Sequence, residues 1–458
     1  MRHIFTVIFF LFTLITFGQK YVINKILLTG NKQTKDFVIL RELLFATGDT
    51  IDIADWHILQ EENKKNLLNT GLFNFVTISK DSVENRLNAI NISISVKERW
   101  YLWTYPILEH ADRNFSSFLY FQEWQMINYG FFFEKKNFRG RNEILKTKIR
   151  LGYREQYGLL YRKPFFKHNE NNGISYFFTY NRQHESSYQT ENNYLAYTRS
   201  DQYIRKNYQS ELSFLHRFNF YHYMSFTFGF ASRKANDSLI SLNPDFYGNN
   251  KLKILYLTAK INYYIDKRDI HYYPIKGYYI GITVKKYGLG IFDELNKYAL
   301  LLEGKKYWQF LPRWTSATSV VLRKSSEKLP YFLNYGLGYG IYLNGFEYFV
   351  IQGSDVVVSK NMLRFNLIAQ KISHLSFIPF KKFNKIHYAA YINTFFHAGY
   401  VRNYYPKIEN NNTMENTLLY SYGIGLDIVT YYDKILRIDF SMNNFNHKGI
   451  YLHMSAPI

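Results

Sequence analysis

The chain has 458 residues, 19% of them aromatic (43 Tyr and 40 Phe), no cysteine and a formal charge of +21. Its mean hydropathy is −0.30. The absence of cysteine excludes a disulfide framework, a thiolate metal site and a cysteine nucleophile, and the hydropathy excludes a bundle of membrane helices. The basic residues are spread along the chain rather than gathered in a helix or arm. That distribution argues against a nucleic-acid partner and for contact with anionic lipid headgroups.

At the start, Arg2 and His3 precede an apolar run from Ile4 to Phe17, and Thr16-Phe17-Gly18 provides small residues before Gln19. A short charged start, an apolar core and a cleavable end are the parts of a secretory signal, predicted over residues 1–18. A membrane anchor needs about 20 apolar residues, more than this run offers.

Residues 19–99 read as a compact α+β domain. Tyr21 to Leu28 predicts a strand closed by the turn signal Thr29-Gly30-Asn31. Thr34 is placed to cap a short helix carrying Phe37, Leu40, Leu43 and Leu44, and Asp52 a second one carrying Ile53, Trp56, Leu59, Leu67 and Leu68. Gly71 follows as a C-terminal stop. Two strands close the domain. In the second, Ile90, Ile92, Ile94 and Val96 alternate with Asn91, Ser93, Ser95 and Lys97. The order is β-α-α-β-β.

After a connector over 100–126, residues 127–458 alternate with period two in about sixteen segments. Leu255, Leu257, Ala259 and Ile261 share one face; Tyr256, Thr258, Lys260 and Asn262 share the other. Near the end, Ile438 and Phe440 are predicted to face lipid, and Arg437 and Asp439 a lumen. With the signal and the aromatic content, segments of roughly ten residues predict a mainly β chain built on a sixteen-stranded antiparallel transmembrane barrel. Closure suits it, since lipid satisfies no free strand edge.

No chemistry is legible. Gly336, Gly338 and Gly340 lack the following helix that a nucleotide loop needs, and the 13 histidines are scattered without a His-x-x-x-His helix. No catalytic, cofactor or metal residue is expected, and the chain does not read as an enzyme.

Six stretches carry a resemblance. Gly30-Asn31-Lys32-x-Thr34, Arg41-Glu42-Leu43 and Thr70-Gly71-Leu72-Phe73-x-x-Val76 closely resemble a POTRA repeat. Residues 96–115 and 135–166 are similar to the connector and first strands of BamA-like proteins from Bacteroidetes-type bacteria. Asp266, Arg268, Pro274 and Gly277 match that family's Asp-x-Arg-Asp-x-x-x-x-Pro-x-x-Gly element. The resemblance implies one periplasmic POTRA domain that receives unfolded clients or accessory proteins, and a barrel in outer-membrane lipid that inserts or translocates proteins without ATP. It also implies a seam between first and last strands where client strands pair. A passive pore or structural barrel that has lost this activity is the alternative.

The same resemblance marks a loop that folds into the lumen. The family pattern is Val-Arg-Gly-Phe or Leu-Arg-Gly-Tyr; here Leu343, Gly345 and Phe346 fit, but Asn344 replaces the arginine. The family's wall motif Phe-x-Asp-x-Gly becomes Phe395, His397 and Gly399, with histidine replacing the aspartate. Both halves of an ion pair have changed, and Asn344 and His397 are expected to touch and share a neutral hydrogen bond, worth about 1 kcal/mol. Gly449, Leu452 and Met454 resemble the family's C-terminal insertion signal.

Overall fold

The structure is a computed structural model that describes residues 20–110, 127–374 and 385–454, apart from 85, 87, 168, 169, 293, 294, 431 and 433. The predicted signal at 1–18 lies outside the described residues. The chain divides into two compact units, Met1–Arg99 and Trp100–Ile458.

In the first unit, four strands form a sheet in the order β2-β1-β4-β3: β1 (Lys20–Thr29), β2 (Thr50–Asp52), β3 (Phe73–Ser82) and β4 (Ala89–Glu98). β1 and β4 run parallel, the other pairs antiparallel. Helices α1 (Asp36–Leu40) and α2 (Trp56–Asn69) supply the rest of the core. Ile23, Val38, Ile39, Leu67, Phe73, Ile92 and Ile94 are buried, as the period-two pattern of the last strand requires. Gly30 has φ +87°, and a Cβ there would lie 2.0 Å from the Val96 carbonyl oxygen. This turn therefore needs glycine for both reasons.

Three details differ from the sequence reading. β2 was not expected, and Thr34 does not cap α1. Its backbone N–H and hydroxyl both donate to the Glu98 carboxylate at 2.7 Å. The hydroxyl is thus committed to a buried carboxylate 64 residues away, a tertiary demand that capping rules do not register. Asp52 likewise lies in β2, and α2 starts only at Trp56.

The second unit is one sheet of sixteen strands, each antiparallel to its neighbours. It opens with β5 (Leu102–His110), β6 (Ile127–Phe138), β7 (Glu143–Gly152), β8 (Arg154–Lys163) and β9 (Asn172–Gln183). A side hairpin of β10 (Glu185–Glu191) and β11 (Tyr194–Arg199) precedes β12 (Arg205–Arg217) and β13 (His222–Ala235). After helix α3 (Asp237–Leu242) come β14 (Lys253–Asp266), β15 (Gly277–Tyr287), β16 (Lys297–Leu311) and β17 (Trp314–Ser325). A loop over 326–354 carries the small strands β18 (Tyr335–Leu337) and β19 (Ile351–Gln352). The sheet ends with β20 (Asp355–His374), β21 (Lys385–Arg402), β22 (Leu418–Thr430), β23 (Lys434–Asn443) and β24 (Lys448–His453). The sheet therefore begins at residue 102, within the stretch expected as connector and 25 residues before the expected start at 127.

The faces are inverted relative to a soluble protein. In β23, Ile438 and Phe440 are 41% and 46% exposed, whereas Arg437 and Asp439 are 0% and 1% exposed. Ile280, Ile282 and Val284 of β15 are also exposed, and Tyr256 and Thr258 of β14 are buried. Exposed apolar and enclosed polar residues on alternating positions fit a barrel solvated by lipid.

β5 and β24 stand at the two ends of the pairing order. Those ends approach each other. Tyr432, in the turn between β22 and β23, accepts a 2.9 Å hydrogen bond from the Trp100 backbone N–H, and its ring meets Trp103 edge-on at 5.2 Å. Among the described residues, no backbone ladder joins β5 to β24.

Candidate functional site at the lumen loop

The loop over 326–354 leaves β17 at the barrel end that also bears the β10–β11 hairpin and α3, then turns inward. Its tip is fixed by backbone geometry. Gly345 has φ +82°, and a Cβ there would lie 3.1 Å from the Ser421 Cβ. A side chain at this position would be both strained and crowded. The Gly345 carbonyl accepts a 2.6 Å hydrogen bond from the Asn443 amide. Leu343 and Phe346 are buried in an apolar cluster with Val358 and Val401. The Leu343 methyl would lie 3.4 Å from a Cβ at Gly399, so two of the predicted motifs meet here.

The polar pairing differs from the expected one. Asn344 donates to the Oδ2 of Asp439 on β23 at 3.2 Å. His397 is buried opposite Lys360 and Ser421, with its ring 4.7 Å from that of Phe395. Among the described residues, neither of its ring nitrogens has a hydrogen-bond partner. The expected hydrogen bond between Asn344 and His397 is not made, because a carboxylate offers the amide a stronger, charge-assisted acceptor.

The wall carries its own cation. The Arg437 Nε donates to the Asp439 Oδ2 at 2.7 Å and lies 3.8 Å from the Asp427 Oδ1, with all three side chains fully enclosed. Arg437 Nη2 also reaches the Asn393 Oδ1 at 3.4 Å, and its guanidinium packs 5.2 Å from the Phe395 ring centre. The wall thereby holds an arginine between two aspartates, and the loop contributes only a neutral amide. Small residues make room for it: Gly423, Gly425 and Ser441 face the lumen beside these charges in register.

The Asp266-to-Gly277 element joins the same network from the other end of the barrel. Arg268 grips Asp266 with two hydrogen bonds, at 2.8 and 2.6 Å, and Gly277 has φ +98° with the Lys267 carbonyl too close for any Cβ. The turn they shape sends Tyr273 inward, where its hydroxyl donates to Asp427 at 2.8 Å. Beside it, the Pro274 carbonyl accepts a 3.0 Å hydrogen bond from Arg364. A continuous polar chain therefore runs from this turn through Tyr273, Asp427, Arg437 and Asp439 to Asn344. Of the C-terminal motif, Gly449 faces the lumen opposite Ser441, Leu452 pairs with the outward Ile438, and Met454 is exposed.

The sequence reading put Arg437 and Asp439 on the lumen face but gave them no role, and it passed over Asp427. A usable signal was present: ionisable residues inside membrane strands are costly and are kept for a reason. What no local pattern shows is that Asp439 and Asn344, 95 residues apart, would meet.

The docked tip gives a direct test. Asn344→Ala removes a hydrogen bond to a charged group, worth on the order of 1.5–3 kcal/mol of docking. Asn344→Asp, placing a second carboxylate on Asp439, is expected to loosen the loop further. Limited proteolysis of the folded barrel reads both: cleavage within 326–354 should increase from wild type through Ala to Asp. An unchanged pattern for Asp would show that this contact does not hold the loop.

Comparisons with known proteins agree with this architecture. Residues 137–448 match the Omp85 superfamily domain, and residues 21–99 match the surface antigen variable number repeat, a POTRA domain. No curated protein matches the chain. Among solved structures, BamA from Haemophilus ducreyi lacking POTRA domains 1–3 is similar at 16% identity and TM-score 0.53, over 95% of this chain and 84% of that one. CdiB from Escherichia coli is similar at 11% identity and TM-score 0.56, over 95% and 76%. CdiB from Acinetobacter baumannii gives 12% and 0.50, over 96% and 74%.

Proposed function

We propose, from the premise that this chain belongs to the Omp85 superfamily, that it inserts or translocates proteins at the outer membrane through the seam between β5 and β24. The observation that carries the reading is that, among the described residues, no ladder joins those strands. A strand edge left open in lipid is costly, and an incoming client strand satisfies it. No nucleotide is needed, because pairing of the client strand itself supplies the free energy. Ile450 of β24 and Leu108 of β5 are strongly exposed, which suits strands awaiting a neighbour. The POTRA domain, in the periplasm, receives the unfolded client or an accessory protein, and its sheet edge is a suitable docking strip. Residues 1–18 are the signal that exports it. The docked loop argues against a passive pore, since its tip occupies lumen space beside β21 to β23.

Photo-crosslinkers at Leu108 and Ile450, with Phe440 as an outward control, test this in cells. Nascent barrel proteins should be captured at the two seam positions and not at Phe440. Equal capture at all three, together with a large steady conductance in planar bilayers, would favour the pore and overturn the reading. A second expectation concerns topology: protease added to intact cells should spare residues 20–99 and cut them once the outer membrane is permeabilised.

A further inference from the structure

We infer that Glu347, Asp439 and His453 form a divalent-metal site that fastens the lumen loop to the last strand of the barrel. The three residues come from three elements: the loop, β23 and β24. Their donor atoms lie within 4.8 Å of one another. The His453 Nε2 is 3.4 Å from the Glu347 Oε1 and 3.6 Å from the Asp439 Oδ2. For zinc bonds of about 2.0–2.1 Å in a tetrahedron, neighbouring ligand atoms stand roughly 3.3–3.4 Å apart. The two His453 spacings are therefore within a few tenths of an ångström of those of a loaded site, and the Glu347 and Asp439 oxygens lie within 4.8 Å of each other.

The donor set is chemically suitable. Two carboxylates and a neutral imidazole neutralise a divalent cation and match the nitrogen and oxygen preference of zinc and its transition-metal neighbours. Glu347 and Asp439 are buried, and the His453 side chain is 29% exposed with its Nε2 turned into the enclosed side. The Asp439 Oδ2, the oxygen 3.6 Å from His453, is oriented by Arg437 and Asn344. Metal-bound carboxylates are commonly steadied by such outer hydrogen bonds.

The site sits where a clamp has a consequence. Tyr348 packs on Tyr451 of β24 with ring centres 5.4 Å apart, and Phe349 on His447 just before β24 at 4.9 Å. Residues 347–349 thus follow the last strand, and a metal bound at 347, 439 and 453 ties that strand to the loop. The site itself does not depend on the transport reading; only its effect on seam opening does.

The test uses the full chain, refolded in detergent, chelator-treated and titrated with Zn2+ and with Co2+. One equivalent of Zn2+ should bind and raise the unfolding midpoint. Co2+ should give the intense visible absorption of a four-coordinate N/O site. His453→Ala and Glu347→Gln should each weaken Zn2+ binding by about 100-fold or more, with heat-modifiable gel mobility showing that both variants are folded. The chain has no cysteine to compete. Absence of a bound equivalent, or binding of equal affinity in the two folded variants, would overturn the site. Should one variant fail to fold, the other decides alone, and Asn344→Ala gives a milder third measurement, with expected weakening of roughly 10-fold.

Discussion

Arg437→Ala is expected to destabilise the folded barrel by about 3–5 kcal/mol, because it leaves two carboxylates enclosed without their cation. Asp439 loses a 2.7 Å contact and Asp427 a 3.8 Å one, and neither side chain has any exposed surface. Tyr273 still donates to Asp427 and Asn344 to Asp439, but neutral donors do not offset a buried negative charge. The measurement is the urea midpoint of barrel unfolding in liposomes, followed by heat-modifiable mobility. A companion variant separates the pair from its parts. Arg437→Met with Asp439→Leu removes both charges at once and should cost clearly less than Arg437→Ala alone, since no buried charge of that pair is left over. A loss under about 1 kcal/mol for Arg437→Ala would mean that lumen water screens the cluster, as it does an exposed pair.

Ile438→Arg is the second large effect, at about 2–4 kcal/mol if the position lies near the bilayer midplane. Ile438 is on the outward face of β23 and pairs with Leu426 and Leu452. A guanidinium there has lipid on one side and no acceptor within the sheet. Refolding yield into liposomes measures it, with Ile438→Leu as the neutral reference. On a wet lumen wall, Asp439→Asn would be mild by comparison. The structure corrects this: Asp439 is fully enclosed and ion-paired, so Asn there should cost a few kcal/mol as well, nearly as much as the lipid-facing arginine. Asp439→Asn without effect would place this wall in open water.

Much of the architecture was present in the sequence because its causes are local. Period-two alternation follows from strand geometry, so the outward Ile438 and Phe440 and the inward Arg437 and Asp439 could be assigned from the residue order alone. Gly30 marks a turn that only glycine fits, and it is readable for the same reason. The start of the sheet was missed because β5 is a single strand that carries Pro106, a residue rare inside sheets and tolerated on an edge, and β5 is the edge.

The sequence by itself therefore determined the class of fold and the alternation of lipid and lumen faces, both properties of short stretches, while the loop that turns inward was legible only through a family resemblance. Only the tertiary structure decided the partners. Asn344 meets Asp439 rather than His397, Tyr273 reaches Asp427 across 154 residues, and His453 comes beside Glu347. Closing a sheet of sixteen strands brings the last strands and the inward loop to one place, and which charges then pair is set by register and enclosure, which no local pattern encodes.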